Sequence, residues 1–197
     1  MSLNFPDVPD VPAKFSLNPA RWAVFVSGRG SNAEALWENQ AQLDVQLCVS
    51  SRSQAYGLLR AKRNGIPRLV LSPKPDWEAL TVELEKRRIN RIFLLGFMKI
   101  LPKVFVEQWK GRMWNLHPSL LPQFPGAHAI EESFKAGADL GVSIHEVSEV
   151  MDAGPLCYQS LVLKKSVHQV HSLSFEEAQL SISIREQHLV REAALRL

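Results

Sequence analysis

The stretch Arg21-Trp22-Ala23-Val24-Phe25-Val26-Ser27-Gly28-Arg29-Gly30-Ser31-Asn32 decides the fold. Residues 22–26 are a short, β-rich apolar run. The run breaks at Ser-Gly-Arg-Gly-Ser, and a helical stretch opens near Asn32. A strand that turns through glycine into a helix is the opening unit of an α/β fold. The turn also has chemical potential. Glycines allow a tight turn with free backbone amides, and a helix N-terminus adds partial positive charge, so the pair suits an anion. A strand-to-helix turn that merely needs glycine would read the same way. With Ala33 the residues also fit the dinucleotide fingerprint G-x-G-x-x-A. The acidic residue expected after the second strand is absent, since Ser50-Ser51-Arg52-Ser53 stands there. An arginine suits a 2′-phosphate, so an NADP-dependent oxidoreductase stays open at this point.

Downstream, the alternation continues. Strands are expected over 45–49, 68–71, 91–95, 113–117, 142–147 and 155–163. Helices are expected over 55–64, 77–88, 102–109 and 129–136. Ser174-Phe175-Glu176-Glu177 has the form of a capping box and starts a last helix that runs to about residue 195. The alternation predicts an α/β fold of one domain: an open, mostly parallel, twisted sheet with helices on both faces, Rossmann-like. The continuous apolar runs suit strands buried on both faces. The domain is assigned to residues 21–197. Residues 1–20, with prolines at 6, 9, 12 and 19, read as an extended N-terminal arm. That arm lacks the basic start and apolar core of a secretory signal.

Composition bounds the function. The 197 residues are 46% hydrophobic and 22% charged, an ordinary globular balance. The longest strongly apolar run, 92–98, is far short of a membrane span. Two cysteines, Cys48 and Cys157, are too few for a disulfide scaffold. Both lie in apolar runs and are read as buried, reduced thiols of a cytoplasmic protein. The net charge of +3 suits anionic small molecules, while the dispersed charges form no basic stripe for nucleic acid. No His, Cys or Asp cluster has ligand spacing, so no metal is expected. A monomer or homodimer is expected.

Two further segments carry chemistry. In Asn115-Leu116-His117-Pro118, residues two apart share one face of a strand, so Asn115 and His117 project together. Pro118 stops the strand just beyond them, at the carboxyl end, where open α/β sheets bind ligands. An amide donor beside an imidazole can stabilise an oxyanion and assist proton transfer. In Met151-Asp152-Ala153-Gly154-Pro155, Asp152 lies in a turn between two strands. It either bonds its own backbone, as turn aspartates do, or pairs with His117.

In order, SGRGSN (27–32), GFMKIL (96–101), NLHPSLLP (115–122), FPGAH (124–128), GVSIH (141–145) and MDAGP (151–155) resemble the folate-dependent glycinamide ribonucleotide formyltransferase family of purine synthesis. The resemblance spans roughly residues 22–195. It implies that Asn115, His117 and Asp152 form a catalytic trio, and that Gly30, Ser31 and Asn32 hold the substrate phosphate. It also implies that Pro118 and Glu186 border the ribonucleotide. Phe97, Met98, Lys99, Leu101, Val147 and Met151 would line the folate pocket. Lys99 departs from the family's arginine, keeping the charge but losing the planar fork. The expected activity is formyl transfer from 10-formyltetrahydrofolate, the co-substrate, to the amine of 5′-phosphoribosylglycinamide. Alternatives are formyl transfer to another amine, such as a sugar nucleotide, the NADP-dependent oxidoreductase, or a binding protein that kept the fold.

Overall fold

Every side chain of Trp22–Val26 is fully buried, which requires a strand neighbour on each edge and a layer over each face. In the computed structural model of the chain, residues 19–38, 43–164 and 173–197 are described. Residues 1–18 of the expected arm lie outside them. Strand β1 (Arg21–Val26) runs parallel to β2 (Asp44–Ser50) on one edge and to β4 (Arg91–Leu94) on the other. With β3 (Arg68–Val70), β5 (Met113–His117), β6 (Leu140–Glu146) and β7 (Leu156–Leu163), these strands form a seven-stranded sheet. Its order is β3-β2-β1-β4-β5-β6-β7. The first five strands are mutually parallel, while β6 and β7 are antiparallel to their neighbours.

Alternation along β1 divides the core. Trp22, Val24 and Val26 face α1 (Ser31–Trp37), α2 (Tyr56–Arg63) and the last helix, α6 (Phe175–Ala194). Ile130 and Phe134 of α5 (Ala129–Lys135) pack on the same cluster. Ala23 and Phe25 face α3 (Trp77–Lys86) and α4 (Lys103–Gln108), through Leu80, Leu84, Phe105 and Val106. Helices therefore cover both faces, as the alternation predicts.

Local chemistry sets the helix ends. Asp76 accepts the Ala79 amide at 2.9 Å to start α3. At α6, Ser174 and Glu177 form the reciprocal capping box expected from sequence. α3 stops at Lys86, two residues before the expected end, where Arg88 takes a left-handed φ of 55°. β6 ends at Glu146, so Val147 belongs to the loop that follows. Both cysteines are free thiols, but only Cys48 is buried as expected. Cys157 is half-buried, because β7 is an edge strand with one open side. Among the described residues, no helix is long and apolar enough to cross a membrane.

The chain leaves β1 toward β2 on one side and returns to β4 on the other. At this reversal of strand order the loops after β1 and β4 diverge and leave a crevice, the usual ligand position in an open α/β sheet.

Candidate active site

The crevice is a cleft of about 160 Å³ lined by residues 28–32 on one wall and by Leu95 and Gly96 on the other. Gly30 caps α1 in the left-handed region, with φ of 71°, and among the described residues no side-chain cap hydrogen bond is made at this helix start. The turn is fixed from behind by α2. The Gly57 amide donates to the Gly28 carbonyl at 3.0 Å, and a Cβ added at Gly30 would lie 2.5 Å from the Gly57 Cα. Gly30 thus needs both its φ and its missing side chain. Replacing Gly30 by alanine is expected to cost at least ~2 kcal/mol, or roughly 5 °C in Tm. Gly28→Ala, which meets nothing within 4 Å, serves as the near-neutral control in the same thermal melt. Equal Tm values for the two variants would refute the contact.

A second group of polar side chains gathers on the face of β5 and β6. Antiparallel pairing sets Asn115 opposite His145 and His117 opposite Ser143. Trp114 and Leu116 point to the other face and join the core there. The loop between β6 and β7 folds back over this polar face and delivers Asp152, whose φ is 52°. Asp152 Oδ2 accepts the Gly126 amide at 2.8 Å and lies 3.5 Å from His117 Nδ1, an ion-pair distance. Asp152 Oδ1 accepts from Asn115 Nδ2 at 3.3 Å and lies 3.4 Å from His145 Nε2. Asn115 Nδ2 also lies 3.1 Å from His145 Nε2. A side chain at Gly154 would collide with the Glu146 carbonyl, so that glycine lets the loop close onto the strand.

His117 and His145 are 4% and 2% exposed, so their ring nitrogens depend on protein partners. His117 Nε2 donates to the Phe124 carbonyl at 2.9 Å, and His145 Nδ1 donates to the Glu146 carbonyl at 2.9 Å. Ser119 and Ser143 hold the loop that presents the Phe124 carbonyl: Ser119 Oγ donates to Gln123, and Ser143 Oγ donates to the Ser119 carbonyl. Burial opposes the charge on Asp152. Hydrogen bonds from His145 and the Gly126 amide, with the charges of both imidazoles, outweigh it and hold the carboxyl below its ordinary range. The cluster therefore pairs a fixed carboxylate with an amide donor and two imidazoles. Such a set can stabilise an oxyanion and move a proton.

Glu186 lies on α6, which packs against α1. Asn32 Nδ2 donates to Glu186 Oε2 at 3.0 Å, so it is Glu186 that reaches the glycine turn. Asn32 Oδ1 is buried without a hydrogen-bond partner among the described residues. Burial pushes the Glu186 carboxyl from 4.5 up to about 7, against the lowering effect of Asn32. The folded chain thus binds this proton more tightly than the unfolded chain. Its stabilising contribution is complete below pH 4.5 and is lost as pH rises through about 7. Between pH 5 and 8, wild type is expected to lose roughly 3 kcal/mol relative to Glu186→Gln. Denaturant unfolding of both chains across that range measures the difference, and parallel curves would contradict it.

The remaining expected residues lie in the loops that follow β4, β5 and β6. Phe97, Leu101 and Val147 pack on one core cluster, with Phe97 edge-on to Phe25 at 5.3 Å. Met98 and Met151 are exposed. Lys99 Nζ donates to the Pro73 carbonyl at 2.9 Å. A Lys103–Glu149 pair at 2.8 Å ties the loop carrying Met151 to the first turn of α4. Pro118 directly follows the polar cluster. The sequence reading assigned no role to His145, Gly126 or the Phe124 carbonyl. The available signal for His145 was the alternation in Val142-Ser143-Ile144-His145, which turns Ser143 and His145 away from the core side chains. Among the described residues, no group of three or more His, Cys, Asp or Glu has metal-holding geometry.

Comparison with known proteins agrees with this fold. The trifunctional purine biosynthetic protein adenosine-3 of Homo sapiens is 37% identical over 196 residues, covering 93% of this chain and 19% of that protein. The chain spans only 11% to 19% of the length of such trifunctional relatives. The phosphoribosylglycinamide formyltransferase of Bacillus subtilis is 34% identical over 153 residues, covering 72% of this chain and 78% of that one. The crystal structure of glycinamide ribonucleotide transformylase 1 from Geobacillus kaustophilus superposes with a TM-score of 0.83 at 33% identity, covering 91% of this chain and 98% of that one. The family model described as formyl transferase matches residues 20–180, a span that runs from β1 into α6 and takes in both walls of the cleft and the polar cluster. By that match the chain belongs to the formyl transferase family.

Proposed function

We propose that the chain transfers the formyl group of 10-formyltetrahydrofolate to the amine of 5′-phosphoribosylglycinamide, a step of purine biosynthesis. The observation that carries this reading is the Asp152 carboxylate, which lies within 3.5 Å of polar atoms of both Asn115 and His117. The ends of the site support it. The uncapped amides after Gly30 suit a phosphate. Glu186 and the unpartnered Asn32 Oδ1 are acceptors for hydroxyl or amine hydrogens of the ribonucleotide. The apolar lip of Phe97, Met98, Leu101, Val147 and Met151 suits the pteridine of a folate, and Lys99 adds a cation beside it.

In this mechanism the primary amine attacks the formyl carbon and the carbonyl oxygen becomes an oxyanion. Asn115 and His117 turn from their present partners, Asp152 and the Phe124 carbonyl, to donate hydrogen bonds to that oxygen. Asp152 orients His117 through Nδ1 and takes part in moving the proton lost by the amine. The bond from the formyl carbon to the folate nitrogen then breaks, and that nitrogen receives a proton. Products are the formylated ribonucleotide and tetrahydrofolate, with no oxidant or reductant consumed. A nicotinamide reading leaves all three polar residues without a task.

The test is an assay of formyl transfer between the two named substrates, with thermal shifts by a folate and by NADPH measured in parallel. Turnover and a shift by the folate are expected. No turnover at high enzyme concentration, or a shift by NADPH alone, would overturn the assignment.

A further inference from the structure

Ser27 belongs to neither the anion turn nor the lip, yet it touches both. It follows β1 directly and is 3% exposed. Its amide donates to the Gly96 carbonyl at 3.1 Å, which joins the loops after β1 and β4. Its hydroxyl oxygen accepts the Met98 amide at 2.8 Å and lies 2.6 Å from the hydroxyl of Ser51, just after β2. The Ser51 amide in turn donates to the Val26 carbonyl at 3.3 Å. One buried hydroxyl thus laces together the carboxyl ends of three adjacent strands.

Met98 sits in the irregular segment between β4 and α4, where no strand or helix partner claims its amide. The other fixed points of that segment are few. Among the described residues they are the Leu95 amide on the Phe25 carbonyl, the Gly96 carbonyl, the Phe97 ring on Phe25, the Lys99 ammonium on Pro73 and the packing of Leu101 on the core. The Met98 and Ile100 side chains are left exposed above them. A loop with so few backbone anchors opens locally when one is removed.

We propose that Ser27 is a positioning residue for folate recognition. Its hydroxyl sets where the 97–101 lip stands, through the Met98 amide, without touching the reacting atoms. This inference rests on the folate reading above. It separates two neighbours: residues 30–32 act on the ribonucleotide, whereas Ser27 acts on the other substrate.

The test compares Ser27→Ala, Ser51→Ala and wild type. Ser27→Ala leaves the backbone bond to Gly96 intact and removes only the oxygen that accepts from Met98. It is expected to raise the KM for 10-formyltetrahydrofolate about five- to tenfold, the effect of one lost hydrogen bond. The kcat and the KM for the ribonucleotide are expected to stay within about twofold, since binding rather than chemistry is weakened. Amide hydrogen exchange at Met98 is expected to speed up about tenfold or more, by loss of the bonded state. Ser51→Ala keeps the acceptor for Met98 and is expected to change the folate KM by less than about twofold.

An unchanged folate KM in Ser27→Ala overturns the proposal, as does a fall in kcat at constant KM. A lower Tm with unchanged folate KM makes Ser27 merely structural. Equal effects of the two variants also count against it, because the shared hydroxyl pair and not Met98 would then be responsible. If wild type gives no formyl transfer, the functional reading fails. Met98 exchange still decides whether Ser27 holds the loop.

Discussion

Replacing Asp152 with asparagine is expected to lower kcat about 10³-fold or more while the fold stays intact. The size follows from the loss of the carboxylate that orients the proposed acid–base histidine and stabilises the charge it takes up during proton transfer. Asparagine is the cleanest replacement here for a backbone reason. Asp152 has φ of 52°, and asparagine is among the few residues that tolerate this region. The amide oxygen can still accept from Gly126, so the fold-back of the loop persists. What disappears is the negative charge shared by His117 and His145. Single-turnover rates with both substrates saturating, alongside a thermal melt, measure the effect. A variant within tenfold of wild type would remove Asp152 from the mechanism. The low position of its carboxyl adds a check on the same curve. Wild-type turnover should show no loss from Asp152 protonation until pH falls below the ordinary carboxylate range.

The second large effect is expected at Asn115. Asn115→Ala removes the donor proposed for the developing oxyanion, and losing such a donor typically costs ~10²–10³ in kcat. It also removes a hydrogen bond to the carboxylate, because Asn115 Nδ2 donates to Asp152 Oδ1 at 3.3 Å. Asn115→Asp keeps the shape but sets a second carboxylate beside Asp152, and like charges at that distance raise a pKa strongly. That variant should lose turnover as severely and should regain part of it at low pH, unlike Asn115→Ala. If oxyanion stabilisation is the role of Asn115, kcat and kcat/KM fall equally in the alanine variant. A rise in KM alone would make Asn115 a substrate-binding residue instead.

The sequence made the first half of the sheet legible. The unbroken apolar character of residues 22–26 and 92–95 matches strands covered on both faces, and the glycine turn marks where the crevice opens. The i, i+2 pattern of Asn115 and His117 foretold their common face. The direction of β6 was not legible, because its own apolar alternation is the same in either direction. That single fact decides which residue stands opposite Asn115. His145 was hidden for this reason: within Val142-Ser143-Ile144-His145 it resembles a histidine at the margin of a core. The contact between Asp152 and His117 was equally out of reach. It depends on a loop doubling back over the sheet, which no local pattern encodes. Glu186 and Gln187 are neighbours in sequence, but one helical step turns them roughly 100° apart, and only the packing of α6 on α1 selects Glu186.

The contact between Gly30 and Gly57 limits how the specificity of the proposed site can be redesigned. The turn that would grip the phosphate is braced against a helix backbone, not against side chains that could be trimmed to make room. A side chain at Gly30 has no room unless α2 shifts, because the nearest atoms are its backbone. A designer who wants a larger or differently charged group in this pocket must first relocate α2, and the turn will follow.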